Sequence, residues 1–119
     1  MPKKILVVDD EPVWRRILRG LLTYHGYEVI IAASCEEGLT AVKQNSIDGA
    51  VVDFDLKDGW GDLICAAIRE KDSGIKTPVI LFTADPAAEA FLVGPHRANL
   101  VVYKDSPLKE LPGILKKLF

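Results

Sequence analysis

The sequence is short of cysteine, of same-sign charge runs and of long apolar stretches, and each shortage narrows its range of functions. Its two cysteines, Cys35 and Cys65, stand apart with no C-x-x-C spacing and no clustered histidine. They read as small buried hydrophobes in a reducing compartment rather than as a redox pair or a metal site. No run of Lys or Arg exceeds two residues, and 15 basic side chains face 17 acidic ones. The domain alone therefore has no track for a nucleic-acid backbone and no patch for an anionic membrane. No apolar stretch approaches the roughly 18 residues of a membrane span. The opening MPKKILVVDD turns acidic too early for a secretory leader, so a cytoplasmic protein is expected. Internal repeats, linkers and low-complexity tracts are also missing. What remains is 119 residues with 49% apolar content, enough for one core and one domain spanning residues 1–119.

Five short apolar runs punctuate the chain: ILVV at 5–8, VIIAA at 29–33, AVV at 50–52, VILF at 79–82 and LVVY at 100–103. None alternates strictly, which predicts strands covered on both faces, as in a parallel sheet. Helical patterns separate them. Trp14, Ile17, Leu18, Leu21 and Leu22 form one stripe, with Gly26 as a left-handed cap beyond His25. Ser34 and Glu37 make a capping box for a helix that turns Leu39 and Val42 inward. Leu63, Ile64, Ala67 and Ile68 repeat the pattern, with REKD at 69–72 as its solvated end. Residues 86–93 form a short helix stopped by Gly94 and Pro95. In the last segment Ser106 and Pro107 resemble a helix start, but Pro112 and Gly113 interrupt it, so the helix either kinks or begins near Leu111.

Strict βα alternation predicts an α/β fold, a doubly wound five-stranded parallel sheet of order 2-1-3-4-5 with its crevice at the carboxyl ends of strands 1 and 3. Asp9 and Asp10 follow the first strand, Asp53 the third, Thr83 the fourth and Lys104 the fifth. The stretch AVVDFDLKDG, with Asp53, Asp55 and Asp58, suits a metal-assisted nucleophile, a phosphatase pair or a soluble turn. Taken singly, each polar residue has a plain explanation, such as Asp10 capping the helix that begins at Pro12. Taken together, they converge on the crevice, where several carboxylates ionise together only with a cation present. Mg2+ suits such oxygen ligands. It would keep Asp53 ionised as the attacking carboxylate, with Lys104 and the Thr83 hydroxyl on the phosphoryl oxygens.

These residues resemble the receiver domain of bacterial two-component response regulators, across essentially the whole chain. ILVVDDEP is similar to that family's acidic-pocket motif. AVVDFDLKDGWG is similar to its phosphoacceptor strand and loop with the following glycine, PVILFTA to its threonine strand, and VVYK to its lysine strand. The resemblance implies a flavodoxin-like receiver fold that is not an enzyme. It also implies phosphorylation of Asp53 by a histidine kinase or phosphotransfer protein, and Mg2+ held by Asp10, Asp53 and the backbone carbonyl of Asp55, with Asp9 acting through water. The phosphoryl charge would then bias the surface of helix 4, strand 5 and helix 5 towards a downstream protein or an output domain.

Several positions depart from the family pattern. Val101 stands where an aromatic residue is common, with Tyr103 two residues on as a candidate substitute. Asp105 replaces the usual proline after Lys104, which favours a trans bond and an altered loop. Lys57 replaces a frequent loop proline, and Asp85 adds acid at the rim. The expected consequence is an intact acceptor site with a rewired readout. Two rivals accompany this reading. DFDLKDG is also similar to the nucleophile motif of haloacid-dehalogenase-type phosphatases, with Asp53 as nucleophile and Asp55 as acid/base; the other rival is a receiver-like interaction module that is never phosphorylated. His25, at a helix end, and His96, in a loop, read as surface residues rather than phosphoryl donors.

Overall fold

The computed structural model describes residues 2–119. The chain runs β1 (Lys4–Val8), α1 (Pro12–Tyr24), β2 (Glu28–Ala32), α2 (Cys35–Gln44), β3 (Gly49–Val52), β4 (Asp55–Leu56), β5 (Gly59–Trp60), α3 (Asp62–Lys71) and β6 (Val79–Thr83). A 3₁₀ helix over Pro86–Leu92 leads to β7 (Leu100–Tyr103). A second 3₁₀ turn over Leu108–Glu110 then leads to α4 (Leu111–Leu118). The main sheet is parallel throughout, in the order β2-β1-β3-β6-β7. With the small β4/β5 hairpin set aside, this is the predicted five-strand order.

Side chains alternate across each strand, and the sheet sorts them into two cores, one on each face, rather than the one expected. Leu6, Val8, Ala50, Val52, Val79 and Leu81 face α2, α3 and the first 3₁₀ helix. Ile5, Val7, Val51, Ile80, Phe82 and Val102 face α1 and α4. Burial on both faces is why the apolar runs show no polar alternation. Register brings the ends of β1, β3 and β6 level, with Val8 beside Val52 and Val52 beside Leu81.

Helix α1 ends as expected: Gly26 has φ +88°, the Gly26 N–H donates to Thr23 O and the Tyr27 N–H to Leu22 O, the paired bonds of a Schellman ending. Its start differs from the plain explanation for Asp10. Glu11 occupies the cap position without a side-chain cap bond. Ser34 Oγ caps α2 by accepting from the Glu37 N–H, and Glu37 answers by accepting from Ala33 N–H. Val42 is buried there and Leu39 half-buried. The helix expected over 86–93 is a 3₁₀ helix, capped by Asp85 and irregular at Phe91.

At the C-terminus the later start is the one found. The α-helix begins at Leu111 and admits Pro112 in its first turn, where the missing N–H breaks no helical bond. Ser106 is not its cap.

Two expectations for α3 need correction. Leu63 is 50% exposed rather than part of the inward stripe. Arg69 is only 5% exposed, so the REKD segment is not simply a solvated end. The Arg69 guanidinium donates to Arg97 O, Thr77 O, Asn99 Oδ1 and Asp72 Oδ2. These bonds tie the end of α3 to the loops that lead into β6 and β7. Cys35 and Cys65 are buried and free, and burial pushes the Cys65 thiol up to about 11. His25 and His96 are exposed, as expected.

Candidate functional site

The parallel strands of the main sheet deliver their acids and the lysine to one edge. Asp9 follows β1, its N–H donating to Ala32 O at 3.2 Å, and Asp53 follows β3, its N–H donating to Val8 O at 2.8 Å. Both side chains are buried, Asp9 at 1% and Asp53 at 4% exposure. Asp10 is half-buried beside them. Carboxylate oxygens of Asp9, Asp10, Glu11 and Asp53 all lie within 4.8 Å of one another.

Lys104 comes from the far side of the sheet. The strand pairing that sets Thr83 beside Tyr103 ends with the Lys104 N–H donating to Thr83 O at 3.0 Å. The lysine stem passes over Trp14 and Phe82, with Nζ 5.6 and 5.8 Å from their ring centroids. Its ammonium reaches 3.0 Å from Asp53 Oδ2, 2.9 Å from Asp9 Oδ2 and 3.4 Å from Glu11 Oε1. The contact with Asp9 is an ion pair without hydrogen-bond alignment, so Asp9 Oδ2 is buried with no donor directed at it.

One ammonium does not offset this much acid. Burial holds the Asp9 and Asp53 carboxyls above their ordinary 3.8, and the opposing pull of Lys104 is insufficient. Burial disfavours the charge on Lys104, yet Asp9 and Asp53 together push its affinity for the proton up. Buried acids that share one ammonium, with an all-oxygen donor set, fit a small hard divalent cation.

Asp55 contributes its backbone rather than its exposed side chain. Its N–H donates to Asp53 Oδ1 at 3.2 Å, steadying that carboxylate. The Asp55 carboxyl is raised, first by burial and then by Asp85 across the rim. Thr83 is buried at the end of β6, and its Oγ1 accepts from the Asp85 N–H at 3.2 Å rather than bonding Asp53. The sheet edge thus gathers Asp9, Asp10, Asp53, Thr83 and Lys104. Among the described residues, only Lys104 bonds Asp53 by a side chain.

Three features escaped sequence reasoning. Glu11 joins the acidic group, and the third acid in VVDDEP was its available signal. For Gly61, the glycine noted in AVVDFDLKDGWG, it was the reason that escaped: a Cβ there would collide with the Asp53 carbonyl oxygen. Asp58, expected simply in a turn, also accepts from the Cys35 and Glu36 N–H groups at 2.8 and 3.0 Å.

The departures near Lys104 are visible as well. No cis peptide occurs among the described residues, so the bond before Asp105 is trans, as expected. Val101 packs against the core on the 3₁₀-helix side, and the Tyr103 hydroxyl donates to Glu89 of that helix.

Known proteins resemble this chain in sequence and in fold. The transcriptional regulator TorR of Escherichia coli is 34% identical over 120 residues, covering 99% of this chain and 50% of that protein. The probable transcriptional regulator ycf27 of Cyanophora paradoxa is 45% identical over 84 residues, 69% of this chain and 33% of its own length. The chain therefore spans between a third and a half of these relatives. Among solved structures, the response regulator TrrA of Thermotoga maritima, in complex with Mg2+ and BeF, superposes with a TM-score of 0.82 at 32% identity, covering 98% of this chain and 99% of that one. A CheY-like receiver domain protein of Methanospirillum hungatei gives 0.86 at 25% identity, covering 98% and 93%. Receiver domains are signalling domains with an acidic pocket for Mg2+, and an acidic cluster at the strand ends is what this sheet builds. Residues 5–116 match the family described as response regulator receiver domain, and the chain belongs to that family.

Proposed function

We propose that residues 1–119 form a single receiver domain whose Asp53 accepts a phosphoryl group from a histidine kinase or a phosphotransfer protein. The observation that carries this reading is the Lys104 ammonium held between Asp53 Oδ2 and Asp9 Oδ2, at 3.0 and 2.9 Å. A cation of that reach beside a buried carboxylate is suited to meet phosphoryl oxygens.

An Asp53 carboxylate oxygen attacks the donor's phosphorus. The new P–O bond forms as the P–N bond to the donor imidazole breaks, and the bonding pair leaves on that nitrogen. Asp10, Asp53 and the Asp55 backbone carbonyl would hold Mg2+, with Asp9 acting through water. When bound, the ion supplies neutralising charge for the acids and the incoming group. Lys104 then exchanges its contact with the Asp53 carboxylate for phosphoryl oxygens. The Thr83 hydroxyl, which uses only an acceptor lone pair on Asp85 N–H, retains its proton to donate.

The phosphoryl group adds about −1.5 to −2 of charge. Its coupling to a partner surface typically amounts to about 1 to 3 kcal/mol, enough to shift populations. The readout passes to a downstream protein or an output domain by a rewired route. Val101 replaces the usual aromatic residue, and Tyr103 ties β7 to the first 3₁₀ helix through Glu89. Intact mass after incubation with Mg2+ and a small phosphoryl donor tests the chemistry. One phosphoryl adduct is expected on the native chain and none on Asp53→Asn; an equal adduct on both would reject Asp53 as the acceptor.

A further inference from the structure

We infer that Asp58 is a positioning residue for the cation site, fixing the loop that presents the Asp55 carbonyl by fastening it to the start of α2. The inference rests on the proposed cation site and adds a part of this chain that the site does not itself contain.

The loop after Asp53 does not secure its own shape. Its hairpin consists of two residues on each side, Asp55 opposite Trp60 and Leu56 opposite Gly59, and a hairpin that small is not stable by itself. Its turn residues are Lys57 and Asp58. Two-residue hairpin loops favour turns with positive φ, whose twist matches the strands, yet no described residue other than glycine has positive φ. A turn of ordinary sign splays such strands, so the loop depends on anchors outside itself.

Those anchors lie on two sides. Towards the acids, the Lys57 N–H donates to Asp10 Oδ2 at 3.2 Å. On the opposite side both Asp58 oxygens are engaged, Oδ1 accepting from Cys35 N–H at 2.8 Å and Oδ2 from Glu36 N–H at 3.0 Å. These are unpaired donors in the first turn of α2, where carboxylate charge also meets the positive end of the helix. Gly59 packs closely below, so that a Cβ there would lie 3.2 Å from Cys35 Sγ. Asp58 thereby holds one end of a short span whose other end touches Asp10.

Ser34 provides the needed control, because it caps the same helix through Glu37 N–H and makes no bond to the loop. Mg2+ alone is titrated into the folded native chain and followed by tryptophan fluorescence, with thermal midpoints recorded in parallel. Asp58→Ala is expected to weaken Mg2+ binding about 10-fold, the lower end of the range for lost supporting contacts around a metal. Asp58→Asn, which keeps one acceptor, should fall between Asp58→Ala and the native chain. Ser34→Ala should lower the midpoint but bind Mg2+ as the native chain does.

Native affinity in both Asp58 variants, or an equal loss in Ser34→Ala, would overturn the inference while leaving the cation site standing. Should Asp58→Ala not fold, the Asp58→Asn titration decides by the same criterion. Absence of saturable Mg2+ binding by the native chain would remove the cation site itself, and the positioning role with it.

Discussion

Two buried polar clusters sit at opposite ends of this sheet, and they are built on opposite terms. Around Arg69 the chain supplies a partner for each charge. The guanidinium reaches four acceptors, while Asp72 accepts from Arg69, from the Lys76 N–H, and from the backbone N–H and hydroxyl of Thr77. Around Asp53 the chain crowds carboxylates against one ammonium, which Asp9 and Asp53 must share. The pKa directions follow. Burial raises the Asp72 carboxyl, but the bonds from Thr77, Lys76 and Arg69 outweigh it and hold the group below 3.8. At Asp53 burial wins and the carboxyl rises. The first cluster stabilises the fold, whereas the second costs stability until something positive arrives. An imbalance held in place by well-packed strands is a mark of function rather than of architecture.

The largest expected effect breaks the satisfied cluster. Arg69→Ala removes the counter-charge from Asp72 and the donor to the Arg97 and Thr77 carbonyls. Asp72 keeps its Lys76 and Thr77 donors and Asn99 Oδ1 keeps the Val79 N–H, and the change should cost about 3 to 5 kcal/mol. Urea unfolding at neutral pH would read this as a lower midpoint with an unchanged slope. Arg69→Lys should recover only part of it, because an ammonium cannot reproduce the fork.

Gly61→Ala comes next and acts on the crowded cluster. Its Cβ must displace the Asp53 carbonyl, now 2.2 Å away, at about 1 to 3 kcal/mol for overpacking. Phosphoryl uptake should fall by more than the stability loss explains, as intact mass would register under conditions where the variant remains folded. Uptake at the native rate would mean that the acceptor tolerates the shift.

A smaller effect sharpens the contrast. Thr77→Val removes one hydroxyl donor from Asp72 and should cost about 1 kcal/mol. The sign of its pH dependence is fixed. A depressed Asp72 stabilises the fold above its unfolded pKa near 3.8, and that contribution is lost as pH falls through the folded value. The native advantage over Thr77→Val should therefore narrow in acid; a gap constant across that range would show that the hydroxyl does not act through the Asp72 charge.

The sequence made the two clusters unequally legible. The acid end could be read because each of its residues directly follows an apolar run, so strand order alone brings Asp9, Asp53, Thr83 and Lys104 to one edge. Arg69 could not be read this way. It sits in a charged run, REKD, and its partners Thr77, Arg97 and Asn99 come from loops that carry no periodicity. Asp58 was hidden for a related reason: a turn acid capping its own loop and one capping a helix 23 residues earlier look alike in sequence. Leu63 matched a helical stripe but faces outward, since the stripe is narrower than the spacing suggested.

The central claim, that the acid cluster exchanges stability for cation and phosphoryl capture, is most directly tested by thermal midpoints of the native chain and Asp53→Asn at neutral pH across Mg2+ concentrations. A raised Asp53 favours the fold below its unfolded pKa, and that advantage disappears as pH rises through the folded value. Without Mg2+, Asp53→Asn should therefore melt above the native chain. Added Mg2+ should then raise the native midpoint, by up to about 2.7 kcal/mol of stability at a hundredfold excess over Kd, while scarcely moving the variant. A native midpoint that ignores Mg2+, together with a variant that melts lower, would contradict the claim.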